Sequence, residues 1–195
     1  MSLRMRRRER FWNAANAITL GRIAAVPLLL AAPLFDGRLG SLLFGFLFLA
    51  IALTDLLDGY VARSWDLVTR IGKLLDPLAD KLLVATALVV LLGLGRIPSW
   101  ATWLVALILA REIAVTSLRA MASAEGVVLG ASSLAKWKTG FQIAAITALL
   151  VHYPLLGIPA HVLGLTLLML ATALGVWSGW DYFAAYLSDA GSGSE

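Results

Sequence analysis

Thr54-Asp55-Leu56-Leu57-Asp58-Gly59-Tyr60-Val61-Ala62-Arg63 is followed, eight residues on, by Gly72-Lys73-Leu74-Leu75-Asp76-Pro77-Leu78-Ala79-Asp80-Lys81, and the two segments hold four of the chain's eight aspartates. Uncharged apolar runs flank them, Leu39–Leu53 before and Leu82–Leu94 after. Two apolar helices joined by a short polar connection account for this pattern. Asp55 and Asp58 are three apart and share a face at the end of one helix; Asp76 and Asp80 are four apart and share a face at the start of the next. Antiparallel neighbours can turn those faces toward each other, so four carboxylates converge at one end of a helix pair.

The rest of the chain is of the same kind. Of 195 residues, 60% are hydrophobic and 14% charged, and the mean hydropathy is +0.85. Soluble domains are about 45–50% apolar and about 25% charged. That excess excludes a soluble enzyme, a disordered tail and a DNA-binding module, and it predicts an all-α, polytopic membrane protein. Runs of about 20 apolar residues suit spanning helices, and six transmembrane helices are expected: Ile18–Phe35, Leu39–Tyr60, Asp76–Leu94, Pro98–Leu118, Thr139–Tyr153 and Pro159–Tyr182. They form a single domain over 1–187, and the Gly/Ser-rich stretch 188–195 is expected as a flexible tail. With no cysteine, thiolate chemistry and disulfides are excluded.

The formal charge of +4 belongs with membrane topology, and no nucleic-acid partner is expected. The leader carries Arg4, Arg6, Arg7, Arg8 and Arg10, too charged for a cleavable signal peptide. With Phe11 and Trp12 following, it reads as an N-terminal amphipathic interfacial helix on anionic headgroups. Arg63, Arg70, Lys73 and Lys81 fall in the second-to-third connection, and Arg111, Arg119, Lys136 and Lys138 flank the fourth-to-fifth. The opposite side has Arg38 and Arg96, so both termini are expected in the cytoplasm. His152 and His161 fall on the outer side, far from the carboxylates, and receive no chemistry.

Four clustered carboxylates repel one another and lose solvation, so a positive partner is required. Helix capping accounts for Asp76 and Asp80 but not for Asp55 and Asp58, which sit where the helix dipole disfavours negative charge. All-oxygen ligands without nearby His or Cys favour Mg²⁺ or Mn²⁺, and four carboxylates suit two divalent cations, the usual arrangement for displacement at phosphorus. Gly59 and Gly72 leave room for a ligand beside the acids, or for close helix packing.

At fixed spacing, Asp55-x2-Asp58-Gly59-x2-Ala62-Arg63-x8-Gly72-x3-Asp76-x3-Asp80 resembles the signature of the CDP-alcohol phosphatidyltransferases. The resemblance implies a six-helix membrane fold, a homodimer, and transfer of a phosphatidyl group from CDP-diacylglycerol to an alcohol with release of CMP. It also implies Asp55, Asp58 and Asp76 as metal ligands, Asp80 as fourth ligand and general base, and Gly59, Ala62, Arg63 and Gly72 around the nucleotide. Arg111-Glu112-Ile113-x4-Leu118-Arg119, then Lys136-x-Lys138-Thr139 and Gln142, is similar to the bacterial phosphatidylglycerophosphate synthases within that family. So is the start, Asn16-x2-Thr19-x2-Arg22, which is placed with the nucleotide. One departure is Ala135, where that pattern has glycine.

For such an enzyme the acceptor is glycerol 3-phosphate, and Arg111, Arg119, Lys136 and Lys138 are candidates to hold its phosphate. Arg111 follows the apolar run Trp100–Ala110 and precedes another apolar segment, so it is expected inside a helix. The same chemistry on another alcohol (inositol phosphate or serine) is the alternative, and a divalent-cation transporter is a further one. Metal-dependent CMP release without ion flux separates the last. The expected setting is a bacterial inner membrane.

Overall fold

A computed structural model of the chain describes residues 14–35, 37–65, 70–127, 130 and 133–192, with side chains described for 20–35, 37–54, 78–127, 130 and 134–188. Among these residues there are six α-helices and no strand: α1 Ala14–Leu30, α2 Arg38–Trp65, α3 Arg70–Gly93, α4 Thr102–Ala124, α5 Ser133–Val151 and α6 Ala160–Ser192. Short 3₁₀ turns at Ala32–Phe35 and Ser99–Ala101 follow α1 and precede α4.

The expected interfacial helix of the leader lies outside the described residues. The first expected span ends early, because α1 gives way to a 3₁₀ turn containing Pro33. At the other end, α6 runs to Ser192, into the stretch expected as tail. Residues 183–190 contain neither proline nor glycine, so nothing stops the helix there.

Among the described residues two helical stretches are long and apolar enough to cross a bilayer, Ser99–Ala124 and Ala160–Ser188; Leu20–Leu30 and Arg38–Thr54 are shorter apolar stretches. The six-span expectation is therefore met by two on this criterion. Pro33 interrupts the first expected run and the Asp80-Lys81 pair the third, and the fifth, Thr139–Tyr153, is short. Large apolar side chains cover the outside, among them Trp177, Trp180, Ile113 and Leu43. Contiguous apolar surface of this kind suits hydrocarbon better than water.

The long-range contacts alternate helix direction. Arg22 of α1 meets Asp80, about midway along α3, and Lys138 near the start of α5 meets Glu112 of α4. Gly45 of α2 faces Val151 at the far end of α5. Helix α5 is the central post, against α2, α3 and α6. Phe48, Leu88, Leu91, Leu104, Ile146, Leu149 and Leu168 are fully buried around it. Two glycines permit close approach of other helices to α5. A Cβ on Gly45 would lie 2.6 Å from Val151 Cγ2, and one on Gly164 would lie 2.9 Å from the Leu149 backbone nitrogen.

The end of the bundle that holds the α3–α4 and α5–α6 connections is closed by a buried cation. After α3, Gly95 takes φ +65°, with Gly95 N–H donating to the Leu92 carbonyl and Arg96 N–H to the Leu91 carbonyl. This C-terminal cap turns Arg96 inward. Its guanidinium donates to the Leu150 carbonyl and to Ser41 Oγ at 2.6 Å, and His161 Nε2 lies 2.9 Å from the Arg96 carbonyl. Arg96, expected as an outer topology cation, is instead only 6% exposed and ties α2, α5 and α6 together.

Candidate active site

At the opposite end, α1 and α3 run side by side and bring two charges of the signature segments together. Arg22 is buried, and its Nη1 donates to Asp80 Oδ1 at 2.8 Å. The Asp80 side chain is 42% exposed, so the carboxylate sits at an opening and not in the core.

A second ionic cluster lies across from it. Glu112, midway along α4, accepts from the Lys138 ammonium, with Arg111 Nη1 at 3.4 Å and Lys81 Nζ at 3.7 Å. Lys138 is nearly enclosed, at 6% side-chain exposure. A lysine so buried requires a counter-ion, and Glu112 is that partner. Arg111 is also held by α6: its Nε donates to the Gly175 carbonyl at 3.1 Å and its Nη2 to Ser178 Oγ at 2.9 Å. As expected from the apolar residues around it, Arg111 is inside a helix.

Two cavities meet at this cluster. The inner one, about 190 Å³, is bounded by Arg22 and Asp80 on one side and by Gln142 and Phe48 on the other. The outer one, about 700 Å³, carries Arg111, Arg119, Lys136 and Lys138 in its wall, with Trp137 and Tyr182. Lys81, Glu112, Lys138, Thr139 and Ile143 line both. Tyr182 also packs with Val115 and Leu118 in a small apolar cluster.

The four cations expected around an acceptor phosphate thus share one cavity, though in two conditions. Arg111 and Lys138 are engaged by protein groups, whereas Arg119 and Lys136 are exposed. Asp55, Asp58, Gly59, Ala62 and Arg63 fall within α2, Gly72 and Asp76 within α3, and Asn16 and Thr19 within α1. The side chains of these nine lie outside the described residues. Among the described residues no three acidic or histidine side chains gather into a metal-binding group.

Lys81 and Gln142 also line the site; the sequence reading counted Lys81 only among the topology cations and quoted Gln142 in the stretch similar to the phosphatidylglycerophosphate synthases without a role of its own. Both had a local signal: Lys81 adjoins Asp80, and Gln142 stands one helical turn from Lys138. The Ser178 and Gly175 partners of Arg111 had none, being 67 and 64 residues away.

The family profile described as CDP-alcohol phosphatidyltransferase matches residues 12–177. The chain is 41% identical over 188 residues to a Bacillus subtilis (strain 168) protein named CDP-diacylglycerol–glycerol-3-phosphate 3-phosphatidyltransferase, covering 89% of this chain and 94% of the relative. A Rickettsia bellii protein of the same name is 37% identical over 177 residues, with 89% and 94% covered. A rice protein named cardiolipin synthase (CMP-forming) is 37% identical over 178 residues, covering 84% of this chain and 54% of that protein.

Proposed function

This chain belongs to the CDP-alcohol phosphatidyltransferase family, and from that premise we propose how its residues carry out the reaction. It is a phosphatidylglycerophosphate synthase-type transferase, moving the phosphatidyl group of CDP-diacylglycerol to glycerol 3-phosphate and releasing CMP. The observation that carries the mechanism is the junction of two cavities, one holding Asp80 and the other the exposed cations Arg119 and Lys136.

The acceptor phosphate belongs in the outer cavity, where Arg119 and Lys136 donate charge-assisted hydrogen bonds to it. Lys138 and Arg111, already engaged, supply positive potential and fix the wall. Asp80, held in orientation by Arg22 at 2.8 Å, takes the proton from the primary hydroxyl of the acceptor. That oxygen attacks the phosphorus bonded to diacylglycerol; the bond from this phosphorus to the CMP oxygen breaks, and CMP departs with the electron pair. Asn16, Thr19, Arg22, Gly59, Ala62, Arg63 and Gly72 hold the nucleotide.

The donor set fits hard divalent cations: Asp55, Asp58, Asp76 and Asp80 are all carboxylates, at helix spacings that put each pair on one face, and Asp80 opens onto a cavity. Those four residues would hold two Mg²⁺ or Mn²⁺ ions. Ions held by them would supply positive charge to the pyrophosphate and to the departing CMP. In the same reading the protein crosses the bacterial cytoplasmic membrane six times, with both termini in the cytoplasm, and works as a homodimer. The family resemblance and the clustering of Arg and Lys toward one helix end support this.

The test is Asp80→Asn. CMP release should fall by at least about 10²-fold, with binding of a CDP-diacylglycerol analogue still measurable. Near-normal turnover removes Asp80 from the role of base. Chelation by EDTA should abolish CMP release, and added Mg²⁺ or Mn²⁺ should restore it. Offering glycerol 3-phosphate, inositol phosphate and serine to the purified protein then fixes the acceptor.

A further inference from the structure

Gln142, on α5, is 3% exposed and lies on the wall of the inner cavity. Its Oε1 accepts no hydrogen bond from any described residue. A buried amide oxygen without a donor costs about 1–3 kcal/mol, so such a placement is tolerated where a ligand completes it. The carboxylates in this wall, Asp80 and Glu112, already receive Arg22 and Lys138, and the Thr139 hydroxyl donates to the Ala135 carbonyl. Much of the remaining wall is apolar: Phe48, Ala52, Leu83, Val84 and Ile143. Gln142 Oε1 is thus a buried acceptor open to a second hydroxyl, beside the one that Asp80 takes.

Resting on the reading of the acceptor as glycerol 3-phosphate, we propose that Gln142 determines acceptor specificity by accepting a hydrogen bond from the secondary hydroxyl of a polyol phosphate. With the phosphate among Arg119 and Lys136 and the primary hydroxyl at Asp80, the middle carbon falls at the junction of the cavities. Lys138 and Thr139 of α5 line that junction, and Gln142 lies one turn on from Lys138. The hydroxyl fills the unsatisfied acceptor and fixes which oxygen faces the reacting phosphorus. An acceptor lacking it leaves Oε1 buried and unpaired.

The experiment compares glycerol 3-phosphate with 3-hydroxypropyl phosphate, which lacks the secondary hydroxyl, as acceptors for CMP release. Wild-type protein should favour glycerol 3-phosphate in kcat/KM by about tenfold. Gln142→Met should bring that ratio close to one, and Gln142→Glu, which keeps an acceptor oxygen there, should retain most of it. Both acceptors are measured on one preparation, so the folded fraction cancels, and Gln142→Ala serves where the Met variant does not fold. An equal fall with both acceptors overturns the proposal, because a purely structural role predicts that. So does a raised KM for CDP-diacylglycerol with the ratio unchanged, which assigns Gln142 to the nucleotide. If wild-type protein releases CMP with another alcohol but not with glycerol 3-phosphate, the acceptor assignment itself fails, and this is seen before any variant is made.

Discussion

Glu112 sets one negative charge against the buried Lys138, with Arg111 at 3.4 Å and Lys81 at 3.7 Å. Removing one member of a buried pair strands the other, which costs more than the pair itself contributes. Glu112→Gln should therefore destabilise the protein by on the order of 2 kcal/mol, since the amide oxygen still accepts but the ammonium loses its counter-ion. Lys138→Met should cost less, because the carboxylate keeps Arg111 and Lys81. The double variant should recover part of the loss. Thermal unfolding in detergent, read as a double-mutant cycle, measures this. A Glu112→Gln protein within about 0.5 kcal/mol of wild type shows that the pair is not effectively buried. At this scale the sequence marked which residues are unusual but not what each touches. Arg111 stood out because a charge inside an apolar run must have a reason to be there. Its division between Glu112 and α6 did not, because residues 64 and 67 positions away meet only through the packing of helices.

Helix positions were legible because apolar runs and turn residues are local properties, and each expected span overlaps one observed helix. The ends were less so. Helix α3 starts at Arg70, ahead of the Asp76 expected to open it: Arg70 and Lys73 are good helix formers, the single Gly72 costs about 1 kcal/mol without breaking the helix, and only the membrane criterion had excluded this turn. Contact between helices was marked by glycine without its partner being named. Gly164→Ala makes this testable. Its Cβ would lie 2.7 Å from Leu149 Cγ and 2.9 Å from the Leu149 backbone nitrogen, which cannot swing aside as a side-chain end can. The expected cost is about 1–3 kcal/mol, from forcing α6 away from α5. Gly140→Ala, with nothing within 4 Å of the added carbon, should instead stabilise α5 by up to about 1 kcal/mol. Equal melting temperatures for the two variants would refute the tight α5–α6 contact.

Alternating helices divide the molecule into two ends with different chemistry. One end gathers Arg22, Asp80, Lys81, Glu112, Lys136 and Arg119 around open cavities. The other buries Arg96 against Ser41 and the Leu150 carbonyl, with no comparable opening among the described residues. A reaction between a lipid-borne nucleotide and a water-soluble phosphate needs one such end at the cytoplasmic surface, and Arg and Lys accumulate on that side. The six crossings proposed above would put the α5–α6 turn outside and the end of α6 inside. Since the chain contains no cysteine, single introduced cysteines report sidedness without background. Leu156 is 95% exposed at the tip of the α5–α6 turn, and Ser188 is exposed near the end of α6. In intact cells a membrane-impermeant maleimide should label Leu156→Cys, whereas Ser188→Cys should react only after permeabilisation. The reverse pattern would place the carboxylates and cations on the wrong face for cytoplasmic glycerol 3-phosphate. Labelling of both positions from outside would mean that α6 does not cross between them, and the six-span arrangement would have to be redrawn.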